Sequence, residues 1–135
     1  MSQGSFALEI AKFAEDAKGA IDDVMREIII EIGGSVIRMS PVDTGRFRGN
    51  WQFSIGAAST GELDRLDKNG SAATAEMVNG AIQFKAGETA YIVNNLPYAI
   101  PLEYGHSDQA PGGMVRITLE RFQRIVLEAV RNHQV

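Results

Sequence analysis

Apolar residues recur at three- and four-residue spacing over the first forty positions of the chain. This 3.6-residue period is typical of an amphipathic helix, and charged residues such as Asp22 and Glu27 fall on its other side. At Gly33 and Gly34 the helix bends, ends or packs closely against a neighbour, since each glycine costs about 1 kcal/mol relative to alanine. Pro41 ends the pattern. The apolar positions are Phe6, Ile10, Phe13, Ala14, Ala17, Ile21, Met25, Ile28, Ile32, Val36 and Met39.

Two short stretches have the pattern of strands. Residues 51–55 alternate apolar and polar side chains, as a half-buried strand does. Residues 89–94 are rich in β-forming types and predict a second strand. Residues 98–104 fit either a short strand or a helical turn, because Pro97 and Pro101 exclude a long helix.

A further helix is predicted after each of these strands. Ser71 has the character of an N-cap for a short helix that continues through Ala75, Val78 and Ile82. The chain closes with one amphipathic helix. Its predicted apolar stripe consists of Val115, Leu119, Phe122, Val126 and Ala129.

The order of these elements predicts an α+β domain that spans residues 1–135, with a small mixed or antiparallel sheet. A long N-terminal helix and a C-terminal helix flank the sheet. Residues 57–70 are small, polar and charged, and we expect a flexible loop that projects from the body. Because two or three strands make a marginal core with open edges, contact with a second copy would complete it, and we expect an oligomer.

Composition and charge narrow the class of protein. Thirteen basic and 17 acidic side chains give a net charge of −4, which argues against a dedicated DNA-binding module with its basic stripe. The absence of cysteine excludes a disulfide framework and a thiolate metal site. The run at residues 90–93 is far shorter than the ~20 apolar residues that span a bilayer, and no signal peptide is recognisable, so we expect neither membrane insertion nor secretion.

The chain offers no recognisable catalytic constellation. His106 lies in a predicted loop and His133 near the C-terminus, and no second histidine or cysteine joins Glu103 and Asp108 to complete a metal-ligand set. No serine has a nucleophile-elbow context, and no glycine-rich stretch has phosphate-binding spacing. We therefore expect a protein that is not an enzyme and that uses no cofactor or metal.

Arg46 and Arg48 flank an aromatic residue and precede Trp51. Basic residues interleaved with aromatics can bind nucleic acid, but two arginines also suit ion pairs within the chain or across a subunit interface. Trp51 is expected to anchor a core or an interface rather than to serve as a ligand platform.

Two segments carry a resemblance to a known family. The first is Ser40-Pro-Val-Asp-Thr-Gly-Arg-Phe-Arg-Gly-Asn-Trp51; the second runs from Tyr91-Ile-Val-Asn-Asn-Leu-Pro-Tyr-Ala through Leu102-Glu-Tyr-Gly105 to Gln109-Ala-Pro-Gly-Gly-Met-Val-Arg116. In this order, between flanking helices, they resemble the neck and tail-completion family of long-tailed bacteriophages, proteins similar to the lambda Z minor tail protein. The resemblance covers residues 5–130. Its interface or fold-defining positions are Pro41, Asp43, Thr44, Gly45, Arg46, Arg48, Trp51, Asn94, Pro97, Tyr98, Glu103, Tyr104, Gly105, Pro111 and Met114.

The resemblance implies a structural virion protein, located in the virion neck or tail and in the host cytoplasm during assembly. It implies a homo-oligomeric ring, a hexamer, at the head–tail junction, which completes the tail and joins it to the capsid connector. The partners would be the tail terminator and the head-closure protein, and DNA would pass through the ring without sequence-specific binding. The alternatives are a tail terminator or head-closure connector protein, or a small nucleic-acid-binding regulator.

Each part of the motif suggests a physical role. Asp43 and Thr44 are expected to pin the turn through side-chain to backbone hydrogen bonds, and Gly45 to permit the reversal of the chain. Glu103 is expected to pair with Arg46 or Arg48, within one subunit or between neighbours.

Overall fold

The structure, a computed structural model, describes residues 3–105, 107–110 and 112–133. In the first helix the described side chains are Lys12 and those from Glu15 onward. Predicted positions outside the described part are His106, Pro111 and the side chains of Phe6, Ile10, Phe13 and Ala14.

The first helix, α1, runs without interruption over Gln3–Arg38, 36 residues, which at 1.5 Å per residue is about 54 Å. Of the three alternatives at its paired glycines, close packing is the correct one. A Cβ atom at Gly33 would overlap the side chain of Met77 on helix α2, Ser71–Ile82. The glycine therefore allows two helices to approach each other where a larger side chain would hold them apart.

The sheet has two antiparallel strands, β1 over Trp51–Ile55 and β2 over Ala90–Asn94, with Phe53 opposite Ile92. Both strands lie where their patterns predicted them. A 3-10 turn at Arg48–Asn50 leads directly into β1. The α+β prediction with a small antiparallel sheet is therefore confirmed.

Helix α2 packs against both the sheet and α1. A Cβ atom at Gly80 would overlap the ring of Phe53, so this helix lies against β1 as closely as it lies against α1. The core forms where the two helices and the sheet meet. Its buried members are Ile29, Val36, Ile37, Phe47, Trp51, Ala73, Met77, Ala81, Phe84, Leu96, Ala110 and Met114.

The start of α2 differs from the prediction at one residue. The N-cap is Gly70, in the left-handed region at φ 77°, and Ser71 is already helical. The buried carboxylate of Asp67 accepts a hydrogen bond from the Ala73 amide at 2.8 Å and satisfies a free N–H group at this helix end.

The C-terminal region contains two helices rather than the single predicted helix, α4 over Val115–Glu120 and α5 over Phe122–Asn132. The helical bonding changes at Arg121, whose amide donates to the Thr118 carbonyl three residues earlier. Thr118 also bonds the Met114 carbonyl through its hydroxyl, an arrangement that bends helices.

The predicted stripe of this region is also wrong at its N-terminal part. Thr118 is the buried residue of α4, and its hydroxyl lies 2.6 Å from the Ser35 hydroxyl on α1. This polar contact turns Val115, Leu119 and Phe122 toward solvent, while Ala129 of α5 is buried as predicted.

Residues 98–104 form a helical turn, α3 over Ala99–Glu103. Gly105 follows it at φ 84°, and its amide donates to the Leu102 carbonyl, so this glycine ends the helix in the left-handed conformation.

Candidate functional site

The two motif segments meet at the turn between α1 and β1. The Thr44 hydroxyl accepts a hydrogen bond from the Arg46 amide at 3.2 Å, as predicted for this turn. Asp43 is exposed, and among the described residues its side chain makes no hydrogen bond. At Gly45, with φ 91°, a Cβ atom would lie 2.6 Å from the Lys68 amide nitrogen. Glycine is therefore needed here for both conformation and space.

Trp51 is the anchor that connects the sheet to α1. It is buried, and its indole N–H donates to the Ser40 hydroxyl at 2.7 Å. That hydroxyl donates to the Val36 carbonyl at 2.6 Å, so the last turn of α1 and the start of β1 are held by one chain of bonds. The ring of Phe47 stands edge-on to the indole at 6.1 Å.

Asn94 and Tyr98 bring the second segment onto the first. The Asn94 side-chain amide donates to the Phe47 carbonyl at 2.9 Å, and its oxygen accepts from the Leu96 amide. Tyr98 places its ring 5.8 Å from that of Phe47, while Pro97 beside it is exposed. The resemblance joined these two segments by order along the chain, and the fold joins them by contact.

Within the described residues of one subunit, Glu103 pairs with neither Arg46 nor Arg48, so the prediction of a pair inside the chain is wrong. Arg46 pairs with Glu62 at 2.8 Å, in a half-exposed ion pair that contributes little stability. Arg48 donates to the carbonyls of Arg38 and Ser40, at 3.1 and 2.8 Å, and to that of Lys68 at 2.8 Å. The position of this guanidinium near the carbonyls of Arg38 and Ser40 is favourable, because the C-terminus of α1 has free hydrogen-bond acceptors and the negative end of the helix dipole.

Glu103 instead caps the N-terminus of α4. One carboxylate oxygen accepts from the amides of Met114 and Val115 at 2.9 and 2.8 Å; the other accepts from the amide and Nε of Arg116 at 3.0 and 3.1 Å. Burial by itself raises the pKa of Glu103, but these backbone bonds and the guanidinium outweigh it and lower that pKa below its ordinary value.

Gly113 and Tyr104 lie beside this cap. A Cβ atom at Gly113, φ 85°, would overlap the Glu103 carbonyl oxygen. The Arg116 guanidinium also donates to that carbonyl and lies 4.9 Å from the ring centre of Tyr104, which is largely exposed. Met114, the last residue before α4, is buried in the core. Hydrogen bonds thus connect residues 103–105 of the second motif segment to residues 113–116 of the same segment.

Asn50 is a central residue of this site that the sequence patterns did not indicate. It is fully buried, and its side chain donates to the carbonyls of Arg46 and Leu63 and accepts from the Leu63 amide, at 2.7 to 3.0 Å. The sequence feature that could have indicated its structural role is its position in the first motif, between Gly49 and Trp51.

Residues 57–70 have no helix or strand, as predicted, but they lie against the body instead of projecting from it. Besides the bonds of Asn50, the Arg65 guanidinium donates to the carbonyls of Gly49 and Trp51 and pairs with Glu76 at 3.3 Å. The Asn95 amide donates to two carbonyls of the same segment.

The described residues also form two exposed apolar surfaces. The first, the α1 groove, is formed by Ala17, Ala20, Ile21, Val24 and Met25 of α1 with Val130 and His133 beside the end of α5. The second, called the α4 face, consists of Val115 and Leu119 of α4 together with Phe122, the first residue of α5. They lie at different ends of the α4–α5 unit, because α4 contacts α1 at Ser35 and the end of α5 contacts it at Glu27.

The two surfaces have opposite electrostatic surroundings. Between Glu15 and Glu31 there are six acidic and two basic side chains, a net charge of −4 that equals the charge of the whole chain. Residues 115–124, which contain the α4 face, carry three arginines and one glutamate. Arg116, Arg121 and Arg124 beside the α4 face are exposed. The groove is therefore bordered by negative charge and the face by positive charge.

Within residues 3–105, 107–110 and 112–133, no group of three or more histidine, aspartate or glutamate side chains could hold a metal ion. None of the described helices has a stretch long and apolar enough to cross a membrane. The chain matches no family model, and comparison with curated proteins and with solved structures also gave no match.

Proposed function

We propose that this chain is a structural protein of a tailed bacteriophage or prophage, a neck or tail-completion subunit that forms a ring at the head–tail junction. The two segments that carry the family resemblance support the proposal, since Asn94 and Tyr98 pack the second segment onto Phe47 of the first. A motif whose parts contact each other is stronger support than one whose parts are scattered.

The observation that carries the proposal is the pair of apolar surfaces with opposite charge. A ring needs two different, complementary patches on each subunit, because a patch that contacts its own copy closes a dimer instead. The α1 groove and the α4 face meet this requirement. Single apolar residues on a surface are ordinary, whereas contiguous patches mark contact sites.

In this ring the α4 face of one subunit fills the α1 groove of the next. Arg121 and Arg124 then approach Glu15, Asp16 and Asp23 of the neighbour, which fixes orientation and speeds encounter more than it adds affinity. Six such contacts close a hexamer. The tail terminator and the head-closure protein would bind the faces of the ring, and DNA would pass through its centre without sequence-specific binding.

Charged substitutions test the seam. Ile21→Lys places a positive charge in the groove, and Leu119→Glu places a negative charge on the α4 face. Both residues are more than half exposed, at 53% and 59%, so neither change disturbs the core. The control is Ile82→Glu on α2, which is 60% exposed and lies outside both surfaces.

Mass measurement by analytical ultracentrifugation over rising concentration gives the readout. We expect each seam variant to stay monomeric where the natural chain and the Ile82→Glu control associate. An equimolar mixture of the two seam variants should form heterodimers, since one compatible groove and face remain in each pair. Association that none of these variants changes would refute this seam.

Location in an assembled particle tests the function itself. An electron cryomicroscopy map should place copies of the chain in a ring at the portal-proximal end of the tail. A position in the terminator or head-closure layer would support the alternative connectors. A particle without any copy at the head–tail junction would refute the proposal.

A further inference from the structure

The two outer edges of the sheet differ in how their backbone groups are used. On β1 the Phe53 amide donates to the Glu76 carboxylate at 2.9 Å, and the Trp51 carbonyl accepts from the Arg65 guanidinium at 3.2 Å. Side chains of the same chain therefore occupy this edge. Glu76 and Arg65 also pair with each other, which holds the cover in place.

The outer edge of β2 has no such cover. Because Phe53 and Trp51 direct these groups away from β2, their partners Ile92 and Asn94 form non-hydrogen-bonded pairs with them and direct their own backbone groups outward. Among the described residues, no hydrogen bond from outside the sheet reaches the Ile92 amide or carbonyl. An open strand edge of this kind is a template for another strand.

An apolar groove lies along this open edge. Its apolar lining includes Ile92 and Val93 of β2, Ile100 of α3, Val115 of α4, and the buried Trp51 and Met114. Ile100 is 70% exposed, although its neighbours Ala99 and Leu102 pack against the core. The edge therefore offers backbone hydrogen bonds and, beside them, room for apolar side chains.

We propose that the outer edge of β2 binds an extended segment of another polypeptide, which adds to the sheet as a third strand. Its backbone pairs with Ile92, and its apolar side chains at alternate positions enter the groove beside Ile100 and Val115. This mode of recognition obtains affinity from backbone bonds and specificity from alternate side chains. The inference rests on the sheet and does not depend on the phage assignment.

The occupant is a different protein rather than a second copy of this chain. The described part of the chain has no spare extended segment to donate, since β1 is bonded on both sides and residues 57–68 are fastened by Asn50, Arg65 and Asn95. The remaining possibility for a copy is β2 against β2, a two-fold contact that closes a dimer, and the dependence of edge protection on protein concentration distinguishes it from the proposed occupant.

Amide hydrogen exchange measured by NMR on the full chain tests the open edge. Tyr91 and Val93 bond to β1, so their amides should exchange slowly, and the Ile92 amide between them should exchange at least about tenfold faster. A protected Ile92 amide in dilute protein would refute the open edge. Protection that appears only as protein concentration rises would show β2–β2 pairing and would also overturn the proposal.

A synthetic peptide tests the occupant. The probe is a blocked peptide of about six residues that alternates valine and threonine, and its control is the same peptide N-methylated on the amides that face β2. The first should slow exchange at Ile92 and shift the signals of Ile92 and Val115. The methylated peptide should bind at least about tenfold more weakly, because it cannot donate those hydrogen bonds.

Variants of the chain complete the test. Ile100→Glu should weaken binding of the unmodified peptide, whereas Ile82→Glu, at a position that is also more than half exposed, should leave it unchanged. Equal binding of both peptides, or no binding of either at millimolar concentration, would contradict the proposal. The peptide groove and the proposed ring seam share Val115, but exchange at Ile92 and peptide affinity do not measure whether the chain forms a ring, so the two proposals can fail separately.

Discussion

Glu103 shows how one side chain can connect two distant parts of a motif. Its carboxylate accepts from three consecutive backbone amides and from Arg116, so it acts as the N-terminal cap of α4. The sequence indicated that Glu103 needed a positive partner, and Arg46 and Arg48 were the expected candidates. The actual partners are mainly N–H groups, which no pattern of charged residues can reveal.

Substitution of Glu103 by glutamine should lower the free energy of unfolding by about 2 kcal/mol, because charge-assisted bonds to a nearly buried carboxylate are lost. Urea unfolding at neutral pH measures the change. Glu128→Gln on α5 is the control, since Glu128 is exposed and makes no bond within the described residues. Equal stability of the two variants would contradict the role of the cap.

The pH dependence of stability follows from the lowered pKa of Glu103. A carboxyl group whose pKa is lower in the folded state stabilises the protein at pH values above its unfolded pKa, here 4.5. This stabilisation disappears as the pH falls through the folded-state pKa. The natural chain should therefore lose more stability than Glu103→Gln between neutral pH and acidic pH. Denaturation curves at several pH values compare the two, and parallel curves would contradict the assignment.

At the scale of elements, the sequence predicted strands and helix positions well, and their ends and buried faces less well. The two strands and α2 were found because alternation and periodicity follow from burial on one side. The break at Arg121 and the exposure of Leu119 were missed, because the contact between Ser35 and Thr118 replaces an apolar stripe with a polar one. Such a contact forms only after both helices are in place.

The contact between α1 and α2 gives a matched pair of glycine substitutions. Gly19 has nothing within 4 Å of an added Cβ atom, so Gly19→Ala should stabilise the chain by up to about 1 kcal/mol. Gly33→Ala should instead destabilise it by about 1 to 2 kcal/mol, since the new methyl group overlaps the buried Met77 side chain. Thermal unfolding of both variants gives the comparison, and stabilisation at both positions would argue against close packing.

The segment between β1 and α2 offers a second test at this scale. Asn50→Ala leaves two carbonyls and one amide without their partner, and should cost about 2 to 3 kcal/mol. Limited proteolysis should then cut within residues 57–66 well before the rest of the chain. Asn95→Ala removes exposed bonds to the same segment and should have a smaller effect. Cleavage that occurs first elsewhere in the chain would contradict the role of Asn50.

For the interactions of the whole molecule with its partners, the distribution of charge along the chain matters more than the net charge. All of the net charge of −4 can be assigned to residues 15–31, and the C-terminal helices are basic. This asymmetry supports association between copies and gives no basic stripe for nucleic acid. Arg46 and Arg48, the candidates for nucleic-acid contact, are both engaged within the chain.

Binding of duplex DNA should consequently be weak even at low ionic strength. A regulator that contacts six or more phosphates loses affinity steeply as salt rises, with a slope of roughly −0.9 per phosphate neutralised. We expect no measurable complex by fluorescence anisotropy at 50 mM salt. Tight binding with such a slope would favour the nucleic-acid-binding alternative.

The sequence by itself determined the α+β class, the order of the elements and the two motif segments, because periodicity and turn chemistry are local properties. Only the tertiary structure decided the partners of Glu103, the burial of Asn50, the covered edge of β1 and the open edge of β2. Each of these features depends on which groups, distant along the chain, the fold brings within hydrogen-bonding distance. Local patterns contain no information about such long-range contacts.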